Sequence, residues 1–274
     1  MTRSLLSRPL HAAGWALARF LARPRDDCGP VATSGPDLLA ATLQPGDVLL
    51  VEGNSRFSTA IKYLTQSSWS HAALYVGAAA ARGLSGGEPH LLLEADINEG
   101  VRMVPLSRYA RRHTRICRPV GLASSDIDRV LDFALARLGQ RYDLKNIVDL
   151  ARYLLPTPPV PSRWRRRLLA LGSGDPTRAI CSSLIAQAFQ SIRYPILPNV
   201  VLASREDRAG GEALAEILHI RHHSLFAPRD FDVSPYFRIV KPTLESGFDP
   251  GALEWALTTG ESPIPGAASA PVRG

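Results

Sequence analysis

The sequence Ile180-Cys-Ser-Ser-Leu-Ile-Ala-Gln-Ala-Phe189 is the most informative stretch of this chain. Its apolar residues recur at helical spacing over a wide stripe, which predicts a largely buried helix that begins at Cys181. A thiol at a helix N-terminus lies where the macrodipole and the free N–H groups favour the thiolate, the nucleophilic form of cysteine. The stretch therefore predicts a reactive thiol, whereas an isolated cysteine in an apolar helix usually serves packing.

A histidine stands at the beginning of a predicted strand far upstream, in Ser70-His-Ala-Ala-Leu-Tyr-Val-Gly77. Imidazole titrates near neutral pH, so His71 can take up and return the proton of a thiol. Thiol hydrolases need such a histidine within hydrogen-bond reach of the cysteine. We therefore expect folding to bring His71 to Cys181, although a lone histidine in a strand is also typical of a hydrogen-bonded core residue.

The order of the elements predicts an α+β domain, with the strands first and the nucleophile helix late in the chain. We assign residues 1–36 to an amphipathic and linker extension, 37–244 to the catalytic domain and 245–274 to a flexible C-terminal tail. The predicted strands are residues 47–51, 71–76, 90–96, 101–104 and 115–120, and the predicted helices are 37–43, 55–64, 124–138, 182–192 and 212–218.

The chain has 274 residues, is 45% hydrophobic and carries a net charge of +7, concentrated in arginine-rich stretches such as 108–118 and 163–167. An excess of basic residues favours an anionic partner, such as a membrane surface, a nucleic acid or a cell-wall polymer. The alternative is a basic face that is simply solvated. Nothing around the arginines resembles a nucleic-acid-binding module, so we expect no nucleic acid partner.

Cysteine usage argues against a disulfide framework and against a thiolate zinc site. The three cysteines, Cys28, Cys117 and Cys181, are widely spaced and form no CxxC pair. Three histidines near the end, His219, His222 and His223, have helical ligand spacing but lack an acidic partner pattern. We predict no metal site and no cofactor.

Residues 1–25 alternate apolar side chains with arginines. Arg19 and Arg23 fall where a secretory signal would need apolar and small residues, so no cleaved signal is predicted. The stretch is typical of an amphipathic helix at an anionic membrane surface, with a domain-packed or disordered extension as the alternative. We expect a cytoplasmic location, peripheral at the membrane if this helix binds lipid, and the oligomeric state stays open.

Five short motifs in order carry a family resemblance: residues 44–50 (Gln-Pro-Gly-Asp-Val-Leu-Leu), 70–77, 93–95 (Leu-Glu-Ala), 138–143 (Leu-Gly-Gln-Arg-Tyr-Asp) and 181–185. The chain resembles the circularly permuted NlpC-type, papain-like cysteine hydrolases, and within them the YiiX/YaeF-like bacterial group. In that group the histidine strand precedes the cysteine helix. The resemblance implies a papain-like α+β fold whose antiparallel sheet comes first.

The resemblance also supports a role for each candidate residue. Cys181 would be the nucleophile and His71 the general base and acid, while Glu94 would orient the second ring nitrogen of the histidine. Asp96 shares a strand face with Glu94 and is the alternative orienting group. Tyr142 matches a family position whose tyrosine serves the oxyanion site, and the Cys181 backbone N–H is a second candidate donor.

The leading functional hypothesis is hydrolysis of an amide bond, in a peptide or a peptidoglycan-like substrate, through a Cys181 thioester. Two alternatives remain. The same Cys–His pair would serve a lipid-directed acyltransferase, thioesterase or phospholipase, because acyl-enzyme formation does not depend on which group leaves. The fold could also be retained as a non-catalytic binding module.

Overall fold

The structure is a computed structural model that describes residues 32–77, 88, 90–96, 99–140, 180–206 and 212–253. The helices are α1 (Pro36–Thr42), α2 (Arg56–Thr65), α3 (Ser124–Leu135), α4 (Ile180–Ser191), α5 (Pro228–Asp232) and α6 (Pro242–Glu245). The strands are β1 (Val48–Val51), β2 (His71–Tyr75), β3 (Leu91–Asp96), β4 (Gly100–Pro105), β5 (Thr114–Pro119), β6 (Asn199–Glu206), β7 (Glu212–His219) and β8 (Phe237–Val240). Short 3₁₀ turns lie at Leu106–Tyr109, His223–Leu225 and Pro250–Ala252.

The central element is a six-stranded antiparallel sheet in the order β4-β3-β2-β1-β5-β8. The strands are rich in Val, Leu and Ile and separated by turns, which is typical of strands that are buried on both faces. Helix α4 packs against β2 and β3 and, beside them, against α3. This packing brings a late helix onto an early sheet and confirms the predicted α+β fold class.

Successive side chains along each strand point to opposite faces of the sheet, so the core is divided into two parts. One face carries Ala72 and Leu74 and packs against α4 side chains such as Phe189. The other face carries Ala73 and Tyr75 and packs in a separate apolar cluster that includes residues of α1. His71 is the first residue of β2, the strand against which α4 packs.

Two local features fix the ends of the early elements. Ser55 caps α2 by accepting a hydrogen bond from the Ser58 N–H at 3.0 Å. Asp47 accepts from the Gln44 N–H at 2.8 Å and is also held by two hydrogen bonds from Arg118. The carboxylate is buried before β1, so the arginine supplies the charge that its burial requires.

The prediction of a helix over residues 212–218 is wrong. These residues lie in strand β7, which pairs with β6 as an antiparallel two-stranded ribbon. The sequence Glu-Ala-Leu-Ala-Glu-Ile-Leu is rich in helix formers, but the neighbouring strand supplies a hydrogen-bonding partner that overrides this preference. Strands β6, β7 and β8 therefore all follow the helix that carries Cys181.

Several expectations lie outside the described residues: the N-terminal amphipathic helix, Cys28, Tyr142, the 163–167 arginine run and the tail beyond residue 253. The proposed domain limits accordingly stay predictions. Across the part of the chain that the structure describes, no helix combines the length and apolar character needed to cross a bilayer.

Candidate active site

The structure brings Cys181 and His71 together. Cys181 lies in the first turn of α4, is 5% exposed and forms a hydrogen bond with the ring of His71. The sulfur also accepts from the backbone N–H groups of Ala72 and Ser182. Because backbone donors from both the strand and the helix converge on the sulfur, the site is built to hold a negative charge there.

The electrostatics of the pair favour the charged forms of both groups. Burial alone would raise the pKa of Cys181, but the neighbouring imidazolium and the backbone donors bring it below its usual value. Burial likewise opposes the charged form of His71, yet the Cys181 thiolate and the Glu94 carboxylate raise the pKa of His71 to about 10. The geometry therefore supports a thiolate–imidazolium pair at neutral pH.

Glu94 holds the other side of the imidazole ring. Its Oε2 lies 2.8 Å from Nε2 of His71, which leaves Nδ1 as the ring nitrogen for the thiol. The glutamate side chain is only 1% exposed, whereas that of His71 is 23% exposed. The carboxylate is thus a fixed internal partner, and the imidazole keeps a side open to solvent.

Two residues that the sequence analysis did not single out anchor this carboxylate. Arg102 donates to Oε1 of Glu94 through Nε at 2.9 Å and through Nη2 at 2.8 Å. The Tyr109 hydroxyl donates to Oε2, the same oxygen that contacts His71. Burial would raise the pKa of Glu94, but the hydrogen bond and charge of His71, together with hydrogen bonds from Tyr109 and Arg102, lower it to about 2.

The hairpin register explains the arginine, but no sequence pattern marks the tyrosine. Arg102 stands directly opposite Glu94 in the β3–β4 pair, where side chains face each other across the strands. Tyr109 ends a 3₁₀ turn within the arginine-rich stretch and is buried against the β3 side of the sheet, with its ring 5.9 Å from that of His71.

Asp96, the alternative orienting group, lies at the end of β3 and pairs with Arg102 at 3.5 Å, while Glu94 contacts the histidine. Three of the four candidate residues, Cys181, His71 and Glu94, therefore lie in one hydrogen-bonded row. The assignment of Tyr142 to the oxyanion site stays a prediction.

The turn before His71 is fixed by a close backbone approach. The Gly53 N–H donates to Oγ of Ser70 at 2.9 Å. A Cβ at position 53 would lie 2.2 Å from Oγ of Ser58 and 2.9 Å from Oγ of Ser70, so only glycine fits there. This contact sets the path of the chain immediately before the histidine.

The remaining thiol and histidine candidates do not join the site. Cys117 is fully buried in β5, and burial raises the pKa of its thiol, as expected for a core cysteine. His219 ends β7, and His222 and His223 follow it outside any α-helix, so their helical ligand spacing does not apply. Among the described residues, no group of three or more potential ligands is arranged to hold a metal ion.

Comparison with known proteins shows a family similarity over part of the chain. Residues 42–153 match the family model described as a permuted papain-like amidase enzyme, YaeF/YiiX, C92 family. The chain is YaeF/YiiX-like. The match includes His71 and Glu94 and ends before Cys181, so the position of the nucleophile in this YaeF/YiiX-like protein rests on the contacts described above.

A solved structure is also similar: the crystal structure of the metalloprotein YiiX from Escherichia coli O157:H7, with 17% sequence identity and a TM-score of 0.43. The alignment covers 72% of this chain and 96% of the other. No curated protein matches the chain. In general terms, the similarity to an amidase family over residues 42–153 supports a cysteine hydrolase.

Proposed function

We propose that the protein hydrolyses amide bonds, with Cys181 as the nucleophile and His71 as the general base and acid. The observation that supports this most directly is the hydrogen-bonded row Cys181–His71–Glu94, in which both partners of the histidine favour its charged form. A thiolate that is already formed needs no further activation before it attacks a carbonyl carbon.

The proposed reaction proceeds in two halves. The Cys181 sulfur adds to the carbonyl carbon to give a tetrahedral intermediate. This collapses to the thioester as the C–N bond breaks and the His71 imidazolium gives its proton to the leaving amine. Water then attacks the thioester while the neutral imidazole takes a proton from it. The second tetrahedral intermediate collapses with cleavage of the C–S bond, which releases the carboxylic acid and restores the Cys181 thiolate and the His71 imidazolium. Glu94 stays ionised throughout and keeps the ring oriented.

The oxyanion of each tetrahedral intermediate needs donors that are in place beforehand. The backbone N–H of Cys181, in the first turn of α4, is one proposed donor, since the first N–H groups of a helix have no intrahelical acceptor. Tyr142 is the second, on the family resemblance. Loss of one such donor typically lowers kcat by about a hundred- to a thousandfold.

The test is turnover of an amide panel that contains peptidyl coumarin amides and soluble peptidoglycan fragments. We expect turnover by the wild type and a stable thioester adduct on Cys181 in mass spectra of rapidly quenched samples. Cys181→Ala should abolish both, whereas Cys117→Ala, the matched thiol control, should retain both.

Preferential turnover of acyl esters or lipid acyl groups over every amide would favour the lipid-directed alternative instead. Its motivation is the basic, amphipathic sequence of residues 1–25. Absence of any acyl adduct on a folded protein whose Cys181 is alkylated normally would leave only the binding-module alternative.

A further inference from the structure

A cavity of about 360 Å³ lies beside the sheet, and none of Cys181, His71 and Glu94 lines it. Its walls come from the segment before α1, the beginning of β5, the end of β8 and helix α6. This volume is within the range of about 300–1,000 Å³ that is usual for small-molecule sites. No step of the proposed hydrolysis uses it.

The cavity is lined by two cationic side chains, Arg115 and Lys241, and by the imidazole of His113. No carboxylate is among the described residues that line it. Glu52 lies 3.1 Å from Nδ1 of His113, and Asp232 accepts from Nη1 of Arg115 at 2.6 Å, so both groups already have an acidic partner on one side.

Lys241 has no such partner among the residues that the structure describes, and it is exposed at the cavity. The guanidinium of Arg115 also keeps further N–H donors beyond its bond to Asp232. The cavity therefore presents about one uncompensated positive charge together with an arginine fork, a combination that suits a single carboxylate better than a doubly charged phosphate.

The cavity also has apolar lining residues that are not fully covered. Leu244 and Phe248 line the cavity and are 58% and 45% exposed, respectively. Ile239, at the end of β8, extends the same surface. Large apolar side chains left partly in water beside a cation favour a ligand that has both a charged end and an apolar body.

The register of the sheet locates the cavity relative to the candidate active site. Val51 of β1 pairs with His71 on one side and with Thr114, which lines the cavity, on the other. Thr114 and His71 are therefore two strand spacings apart, about 10 Å, at the same end of the sheet. The two sites are neighbours but do not share residues.

We propose that this cavity binds an amphiphilic carboxylate, with its charged end between Lys241 and Arg115 and its apolar body against Leu244 and Phe248. The proposal does not depend on the hydrolytic function, because it requires neither the thiol nor turnover. Thr114 contributes a hydroxyl beside the charged end, which can donate to the carboxylate.

The test is calorimetric titration of the full chain with octanoate, with octan-1-ol as the uncharged match and acetate as the match without an apolar body. We expect saturable binding of octanoate at least tenfold tighter than that of either control. Lys241→Met should weaken octanoate binding tenfold or more, whereas Arg129→Met, which removes an exposed cation on α3, should leave it unchanged.

Equal binding of octanoate and octan-1-ol, no saturable binding, or an unchanged affinity in Lys241→Met would each overturn the proposal. A second pair of probes tests whether the bound carboxylate is a peptide C-terminus or belongs to an alkyl acid. The pair is N-acetyl-leucyl-leucine with a free carboxylate and the same peptide as its amide. Performing the titrations on Cys181→Ala as well keeps the result independent of any turnover.

Discussion

Tyr109 donates a hydrogen bond to Oε2 of Glu94, the oxygen that also holds the imidazole of the candidate site. Because both groups contact this oxygen, the tyrosine of the 3₁₀ turn influences the protonation states of the thiol and the imidazole. The phenol is a positioning group, because it acts on the site only through the carboxylate.

We expect Tyr109→Phe to retain the fold and to lower kcat by about tenfold or more, since a hydrogen bond to a charged group is worth roughly 1.5–3 kcal/mol. Loss of this donor raises the pKa of Glu94 above its present value of about 2. The acid limb of the pH profile for Cys181 alkylation should therefore move to higher pH. A profile that is superimposable on that of the wild type would show that the hydroxyl has only a packing role.

Thiol reactivity should differ sharply between Cys181 and Cys117. The pKa of Cys181 is lowered, whereas burial raises that of Cys117, so iodoacetamide at pH 6.5 should alkylate Cys181 first. His71→Ala should slow alkylation at Cys181 about a hundredfold, because a thiol with an ordinary pKa is only about 1% thiolate at that pH. Peptide mapping by mass spectrometry gives both rates, and equal rates at the two cysteines would contradict the proposed ion pair.

Acid stability should depend on Glu94. Its pKa is lowered from 4.5 to about 2 on folding, so it contributes stability above pH 4.5 that is lost as the pH falls towards 2. The full difference corresponds to about 3 kcal/mol. Glu94→Gln should therefore show a shallower fall in Tm between pH 4.5 and 2.5 than the wild type, and parallel curves for the two proteins would refute the assignment.

A glycine at position 53 should be required for the site as well as for stability. In Gly53→Ala the new methyl group meets Ser58 and Ser70, so we expect a loss of about 1–3 kcal/mol in the free energy of unfolding, as for an overpacked site. Displacement of Ser70 should also slow alkylation of Cys181 in the folded variant. Gly35→Ala, at a glycine where an added Cβ would meet nothing within 4 Å, is the matched control, and similar alkylation rates in both variants would argue against the positioning role.

Arg118 offers a stability test that leaves the candidate site intact. It donates to both carboxylate oxygens of the buried Asp47, so Arg118→Met leaves an unpaired buried carboxylate. Removing one partner of such a pair typically costs about 3–5 kcal/mol. Urea denaturation measures this loss, and the alkylation rate of Cys181 in the folded variant should equal that of the wild type.

Much of the fold and the core of the site follow from the sequence because they depend on local patterns and on reaction chemistry. The strands around Val48 and Leu74 have the compact apolar runs of a buried sheet, and the thiol and imidazole were expected to meet because each needs the other for catalysis. The structure places both as expected.

The rest depends on contacts that no local pattern records. Residues 212–218 have the composition of a helix, and only pairing with β6 makes them a strand. Arg102 could be found from the hairpin register once Glu94 is placed, because the two stand opposite each other. Tyr109 comes from a turn without periodicity, so its bond to the glutamate emerges only in three dimensions.

The order of the segments also has a consequence for biosynthesis. The base and its carboxylate, His71 and Glu94, leave the ribosome long before the sulfur of Cys181, and β8, which covers the edge of β5, comes later still. A nascent chain therefore carries this imidazole before the Cys181 thiol has been made. Reactivity should appear abruptly, late in synthesis, when α4 docks on the sheet.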